Sequence, residues 1–134
     1  MKAISCIIVS VFLISCGNKS TVSKKLTGTD SLVITFNVPD SDSIIKTVSS
    51  TEKKAIRKLS GFLDGKESNL HKCGFDGNMI FYKQGQMLLP VVFKFSDPGC
   101  RGFMYDSDNK VMSREMSNEA MNFLKSLVEG RGWY

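Results

Sequence analysis

Residues 73 to 100 constrain the fold more than any other stretch. Two apolar runs, Met79 to Lys83 and Met87 to Phe95, flank a Gln84-Gly85-Gln86 break, and a cysteine stands near each outer end. Apolar runs on either side of a short glycine-centred break read as a β-hairpin. With the turn centred on Gly85, opposed residues have numbers summing to about 170, and Cys73 with Cys100 falls within a few residues of that register. A bulge, or the irregularity that Pro90 brings, could absorb the offset. Paired, the two thiols would close a loop whose unfolded-state entropy is worth about 3.6 kcal/mol. The alternative is two buried free thiols.

The N-terminus bears on that choice. Lys2 supplies a positive charge, and Ala3 to Leu13 is an apolar run broken only by small side chains. It is shorter than the ~20 residues that span a bilayer, and its pattern is that of an export signal. Leu13-Ile14-Ser15-Cys16 follows, then Gly17 and Asn18. This run resembles the lipobox of bacterial lipoproteins: Leu three positions before the cysteine, a small residue just before it, and the cysteine itself. The resemblance covers residues 1 to about 18 and does not extend to the globular part. It implies that the signal, residues 1–15, is removed and that the Cys16 thiol carries diacylglycerol, with the new amine acylated. Gly17 is not the Asp that favours inner-membrane retention in that class, and residues 17–20 lack the acidic residues that promote surface export in some Bacteroidota lipoproteins. The resemblance therefore implies the outer membrane, facing the periplasm. Each buried lipid CH₂ contributes about 0.8 kcal/mol, so two or three chains hold a small protein firmly. An ordinary signal peptide and a buried apolar helix are the alternatives.

An exported chain reaches an oxidising compartment, where thiols pair. Cys6 would leave with the signal and Cys16 would be lipidated, so Cys73 and Cys100 remain as one pair. No cysteine is left over for a metal, there is no Cys-x-x-Cys, and one histidine cannot complete a zinc set. No cofactor is expected. The formal charge of +5 falls by one with Lys2, and the lysines are scattered. That is not the concentrated basic footprint of a nucleic-acid binder.

Residues 16–30 read as the lipidated cysteine and a flexible tether, polar and small with no hydrophobic period. Lys19, Lys24 and Lys25 are solvated, or rest on anionic lipid heads. Residues 31–134 suit one domain. Ser31 to Val38 alternates as a strand, with Leu32, Ile34 and Phe36 on one face, or Val33 and Val38 after a shift. Residues 39–43 turn the chain, and Ile44 to Val48 returns it. Ser49 with Glu52 fits the capping-box spacing of a helix reaching Leu63, with Thr51 as a rival cap. Ile56, Leu59 and Leu63 form its apolar stripe. Asn69 to Phe75 reads as a short strand carrying Cys73, and Asp76-Gly77-Asn78 as a tight turn. After the central hairpin, Cys100 to Tyr105 and Lys110 to Ser113 are further strands. Ser117 caps a final helix with an apolar face from Ala120 to Val128. The expected fold is α+β: an antiparallel β-meander with two amphipathic helices packed on one face and one disulfide.

Candidate chemistry is sparse. His71, with Asp76 or Asp97 to orient it, could serve as a general base in a small periplasmic hydrolase, but no motif marks a nucleophile. Asp106-Ser107-Asp108-Asn109 opens like a calcium loop, yet Lys110 occupies the fifth position and the distal glutamate spacing fails, so a turn is the reading. Arg131, Trp133 and Tyr134 are residue types that dominate interface hot spots. They are candidate partner contacts, or a tail that covers the sheet edge or its second face, or a frayed end. Phe81, Tyr82, Phe103 and Tyr105 stand in neighbouring strands; some should reach the face away from the helices, which would suit a protein or glycan partner. The expectation is a non-catalytic envelope lipoprotein that binds a protein or an envelope component, of inhibitor, immunity or assembly-accessory type. The hydrolase and a purely structural envelope role are the alternatives.

Overall fold

The computed structural model describes residues 20–69 and 72–133. Cys16, His71 and Tyr134, and with them the signal sequence, lie outside the described residues.

Six antiparallel strands form one sheet. They are β1 (Ser31–Asn37), β2 (Ile44–Ser50), β3 (Gly77–Lys83), β4 (Gln86–Lys94), β5 (Gly102–Ser107) and β6 (Lys110–Glu115). Three helices accompany them: α1 (Thr21–Lys25), α2 (Lys53–Phe62) and α3 (Asn118–Val128). The fold is α+β. The sheet order is β2-β1-β3-β4-β5-β6, so only β3 to β6 are a true meander. β1 lies between β2 and β3, and the β2–β3 connection, which contains α2, carries the chain back past it.

The expected alternation holds in β1: Leu32, Ile34 and Phe36 are fully buried. They join Met79, Phe81, Leu89, Val91, Phe93 and Phe103 in one hydrophobic cluster. Ile56, Leu59 and Leu63 from the α2 segment enter the same cluster, as do Ala120, Phe123, Leu124 and Leu127 from α3. Phe36 and Phe93 meet edge to face, ring centroids 5.6 Å apart.

The central hairpin turns at Gln84 and Gly85, whose φ values of 51° and 76° are the pair of left-handed conformations that match strand twist. Asp108 and Asn109 turn β5 into β6 in the same way, φ 52° and 61°. The expected register is kept: Gly77 pairs with Phe93, Met79 with Val91 and Phe81 with Leu89.

Several expectations are corrected. Pro90 pairs in register with Ile80, and the hairpin bulge lies on the turn side, at Phe81/Tyr82. Neither absorbs the cysteine offset. β4 instead ends at Lys94, and Cys100 is reached through a loop. Cys73 is not on a strand either: Gly74 beside it is left-handed (φ 70°), a conformation that ends β structure. The cysteine pair, at disulfide-bonding distance, therefore stands on two loops. Gly77 and Asn78 belong to β3 rather than to a turn. Ser49 pairs with Val33 inside β2, so no capping box forms; α2 starts after Glu52, whose backbone N–H donates to the Ser50 hydroxyl. Ser117 caps α3 as expected, accepting from the Ala120 amide at 3.1 Å.

The largest correction concerns the tether. Residues 20–30 are folded onto the domain. Ser20 caps α1 by accepting from the Ser23 amide, and Val22 and Leu26, one helical turn apart, enter the core cluster. Asp30 then docks on the central hairpin: its amide donates to the Tyr82 carbonyl and its carboxylate accepts from the Gln84 amide at 2.7 Å.

Candidate functional site

In a paired antiparallel sheet, directly opposed residues share a face. Thr47, Thr35, Asn78, Val92, Met104 and Ser113 are joined pair by pair across all six strands. They lie on the face opposite the one that carries Leu32, Phe81 and Phe93. Beside this row run Ser49, Val33, Ile80 and Pro90, and beyond it Ser31, Tyr82 and Met87. Val111, paired with Asp106, continues the face on β6. Val92 is 37% exposed, Met87 55% and Val111 60%. Apolar side chains thus recur across this face, with Thr35, Thr47 and Asn78 as polar neighbours.

The aromatics contribute less than expected. β4 separates β3 from β5, and Phe81, Phe103 and Tyr105 are all buried in the core. Tyr82 alone of the four lies on this face, half-buried. Sequence reading sought aromatics on this face and singled out neither Val92 nor Met104.

Cys73 and Cys100 stand at disulfide-bonding distance, Cα atoms 5.5 Å apart. They line a narrow cleft together with Val92, Lys94, Gly102 and Met104, so the two cysteine-bearing loops lie against one end of the same face.

A buried polar knot holds that end. Asp76 Oδ2 accepts from the amides of Phe95 at 2.7 Å and Ser96 at 2.8 Å, and Oδ1 accepts from the Ser96 hydroxyl at 3.0 Å. These bonds draw Phe95 and Ser96 away from the ladder, which explains why β4 ends at Lys94. Lys94 Nζ lies 3.5 Å from Asp76 Oδ1 and 3.3 Å from Asp40 Oδ1, and Asp40 Oδ1 also accepts from the Phe75 amide. Burial pushes the Asp76 carboxyl up. The two amides, the Ser96 hydroxyl and the Lys94 ammonium outweigh burial and hold it below the ordinary carboxylate value.

These contacts define what the aspartates offer. Asp76 is engaged in the knot, and Asp97 accepts from the Gly99 amide within its own turn. The tail folds back: Trp133 packs on Phe123, centroids 6.3 Å apart, on the core side of the molecule and not against the sheet's second face. Arg131 pairs with Glu129 two residues before it. Among the described residues no cluster of three His, Cys, Asp or Glu side chains could hold a metal ion.

No protein-family model, no curated protein and no solved structure matches the chain.

Proposed function

We propose that this chain is a lipid-anchored envelope protein whose folded domain is a non-catalytic binding module for another envelope protein. In this reading Cys16 carries the lipid, the signal before it is removed, and the domain stands at the outer membrane facing the periplasm. The Leu13-Ile14-Ser15-Cys16 run supports the anchor. Helices α2 and α3 cover one face of the sheet and leave the other for the partner.

One observation carries the binding reading: Val92, Met104, Ile80, Val111 and Met87 share the sheet face away from the core, and three of them are more than a third exposed. A spread of apolar side chains ringed by polar ones is the usual character of a protein-binding surface. A disulfide at one end of the face stiffens it, which lowers the ordering cost of association. Anchoring confines the module to a surface and raises its effective concentration toward a membrane-bound partner.

Two measurements test this. Mass spectrometry of the native protein should find acyl chains on Cys16; a mature chain that starts elsewhere refutes the anchor. Photo-crosslinking residues placed at Val92 and Val111 in intact envelopes should give one discrete adduct, and the same residue at exposed Asn122 on α3 should not. Equal adducts at all three positions would refute the assignment of the face.

A further inference from the structure

Helix α2 carries its charge at the unfavourable end. Lys53, Lys54 and Arg57 occupy its first turn and a half, and no acidic residue lies in the first turn; the N-cap Glu52 is the carboxylate at that end. Cations near a helix N-terminus face the positive end of the dipole. Lys53 and Arg57 are also four residues apart, a spacing at which like charges repel. Neither has a carboxylate within 4.0 Å among the described residues.

Both side chains line a groove of about 390 Å³ between α2 and residues 23–29. Leu26 and Ile56 contribute apolar surface to it, and no acidic residue lines it. The hydroxyls in its wall already donate within the fold. Lys53 and Arg57 are therefore the uncommitted side-chain donors of the groove. Two unopposed cations beside apolar side chains complement an amphiphile with a compact anionic head. A guanidinium matches the paired oxygens of a phosphate, and an ammonium adds a point charge. The volume is within the range of small-molecule sites.

Position in the chain narrows the source. Ser20 stands four positions after Cys16, and four residues reach at most about 14 Å. If Cys16 is anchored as proposed above, the groove is held within reach of the lipid headgroups.

We propose that the groove between α1 and α2 binds the phosphate of an anionic lipid headgroup, with Lys53 and Arg57 on its oxygens and the edges of the largely buried Leu26 and Ile56 at its floor. Bound so, the domain would be held in one orientation on the membrane that carries it. The site itself does not require the lipid on Cys16, so its failure and the failure of the anchor are separate results.

The test uses the full chain in nonionic detergent micelles, with backbone amide NMR shifts followed on addition of phosphatidylglycerol, phosphatidylcholine, glycerol 3-phosphate or inorganic phosphate. Saturable shifts confined to residues 23–29 and 53–61 are expected with phosphatidylglycerol, at least tenfold tighter than with phosphatidylcholine. Glycerol 3-phosphate or inorganic phosphate binding as tightly as phosphatidylglycerol would assign the site to a free phosphate and overturn the lipid as its source. The double variant Lys53→Gln/Arg57→Gln should weaken binding at least tenfold. The charge-matched Lys110→Gln/Lys125→Gln, on other elements, should leave it within twofold. Equal loss in the two double variants, or no saturable shift at the groove, overturns the proposal.

Discussion

Lys94 Nζ lies 3.5 Å from Asp76 Oδ1, and the two side chains are only 8% and 2% exposed. Buried ions are costly unless compensated, and the compensation here is lopsided. Asp76 has two amides and a hydroxyl besides Lys94, whereas Lys94 has Asp40, itself exposed. Asp76→Ala leaves three donors and a buried cation without their shared acceptor, and should cost about 3–5 kcal/mol. Lys94→Met leaves Asp76 its three hydrogen bonds and should cost less, about 1–3 kcal/mol. Urea denaturation of both variants checks the order; a larger loss for Lys94→Met would contradict this account of the knot.

The same carboxylate sets an acid sensitivity. Its folded-state pKa is depressed, so its contribution is complete above the unfolded value of about 3.9 and is lost as pH falls through the folded one. Unfolding free energy should therefore decline as the medium is acidified below about pH 4. Asp76→Asn should start less stable and show a shallower decline over that interval. Urea midpoints measured between pH 6 and pH 3 decide it, and parallel curves for the two proteins would rule Asp76 out as the group responsible.

Gly77 shows where sequence reading stopped. Beside Asp76 and Asn78 it has turn composition, yet it lies in β3 opposite Phe36 and Phe93. An added Cβ would meet the Thr35 carbonyl oxygen and come within 2.7 Å of Phe93 Cζ. The glycine is there for close approach, which only the assembled sheet reveals. The strands with strict alternation or a glycine-centred break, β1 and the central hairpin, were legible because period and turn chemistry are local. The sheet order was not, because the placement of β1 beside β3 depends on long-range pairing. The candidate face was half legible: Tyr82 stood out as an aromatic, while Val92 and Met104, lacking a ring, drew no attention. Gly77→Ala should destabilise by about 1–3 kcal/mol through overpacking, read as a lower urea midpoint; an unchanged midpoint would mean that the strands part without cost.

The two loops that bring Cys73 and Cys100 to disulfide-bonding distance flank the knot, so a crosslink there and the knot would constrain the same end of the sheet. Peptide mapping without reductant should recover the two cysteines in one linked fragment. The Cys73→Ser/Cys100→Ser double variant should lose about 3.6 kcal/mol in the chain-entropy account. Two freely alkylated thiols in fresh protein would remove the crosslink.

Residues 20–30 give the sharpest contrast between composition and structure. Ser, Thr, Lys and Gly dominate the segment, and by composition it is a linker. Two apolar residues one helical turn apart, Val22 and Leu26, are enough to dock it, since each buries a full side chain against a preformed core. A flexible tether would tolerate Leu26→Ala with a change inside ±0.5 kcal/mol, the range for exposed positions. A core residue should lose about 2–5 kcal/mol. Lys24→Ala on the exposed side of the same turn serves as the control and should fall within the tether range. Chemical denaturation of the two variants separates the cases: a large loss for Leu26→Ala alone makes α1 part of the domain, and equal, small effects would return the segment to the status of a linker and remove one wall of the lipid groove with it.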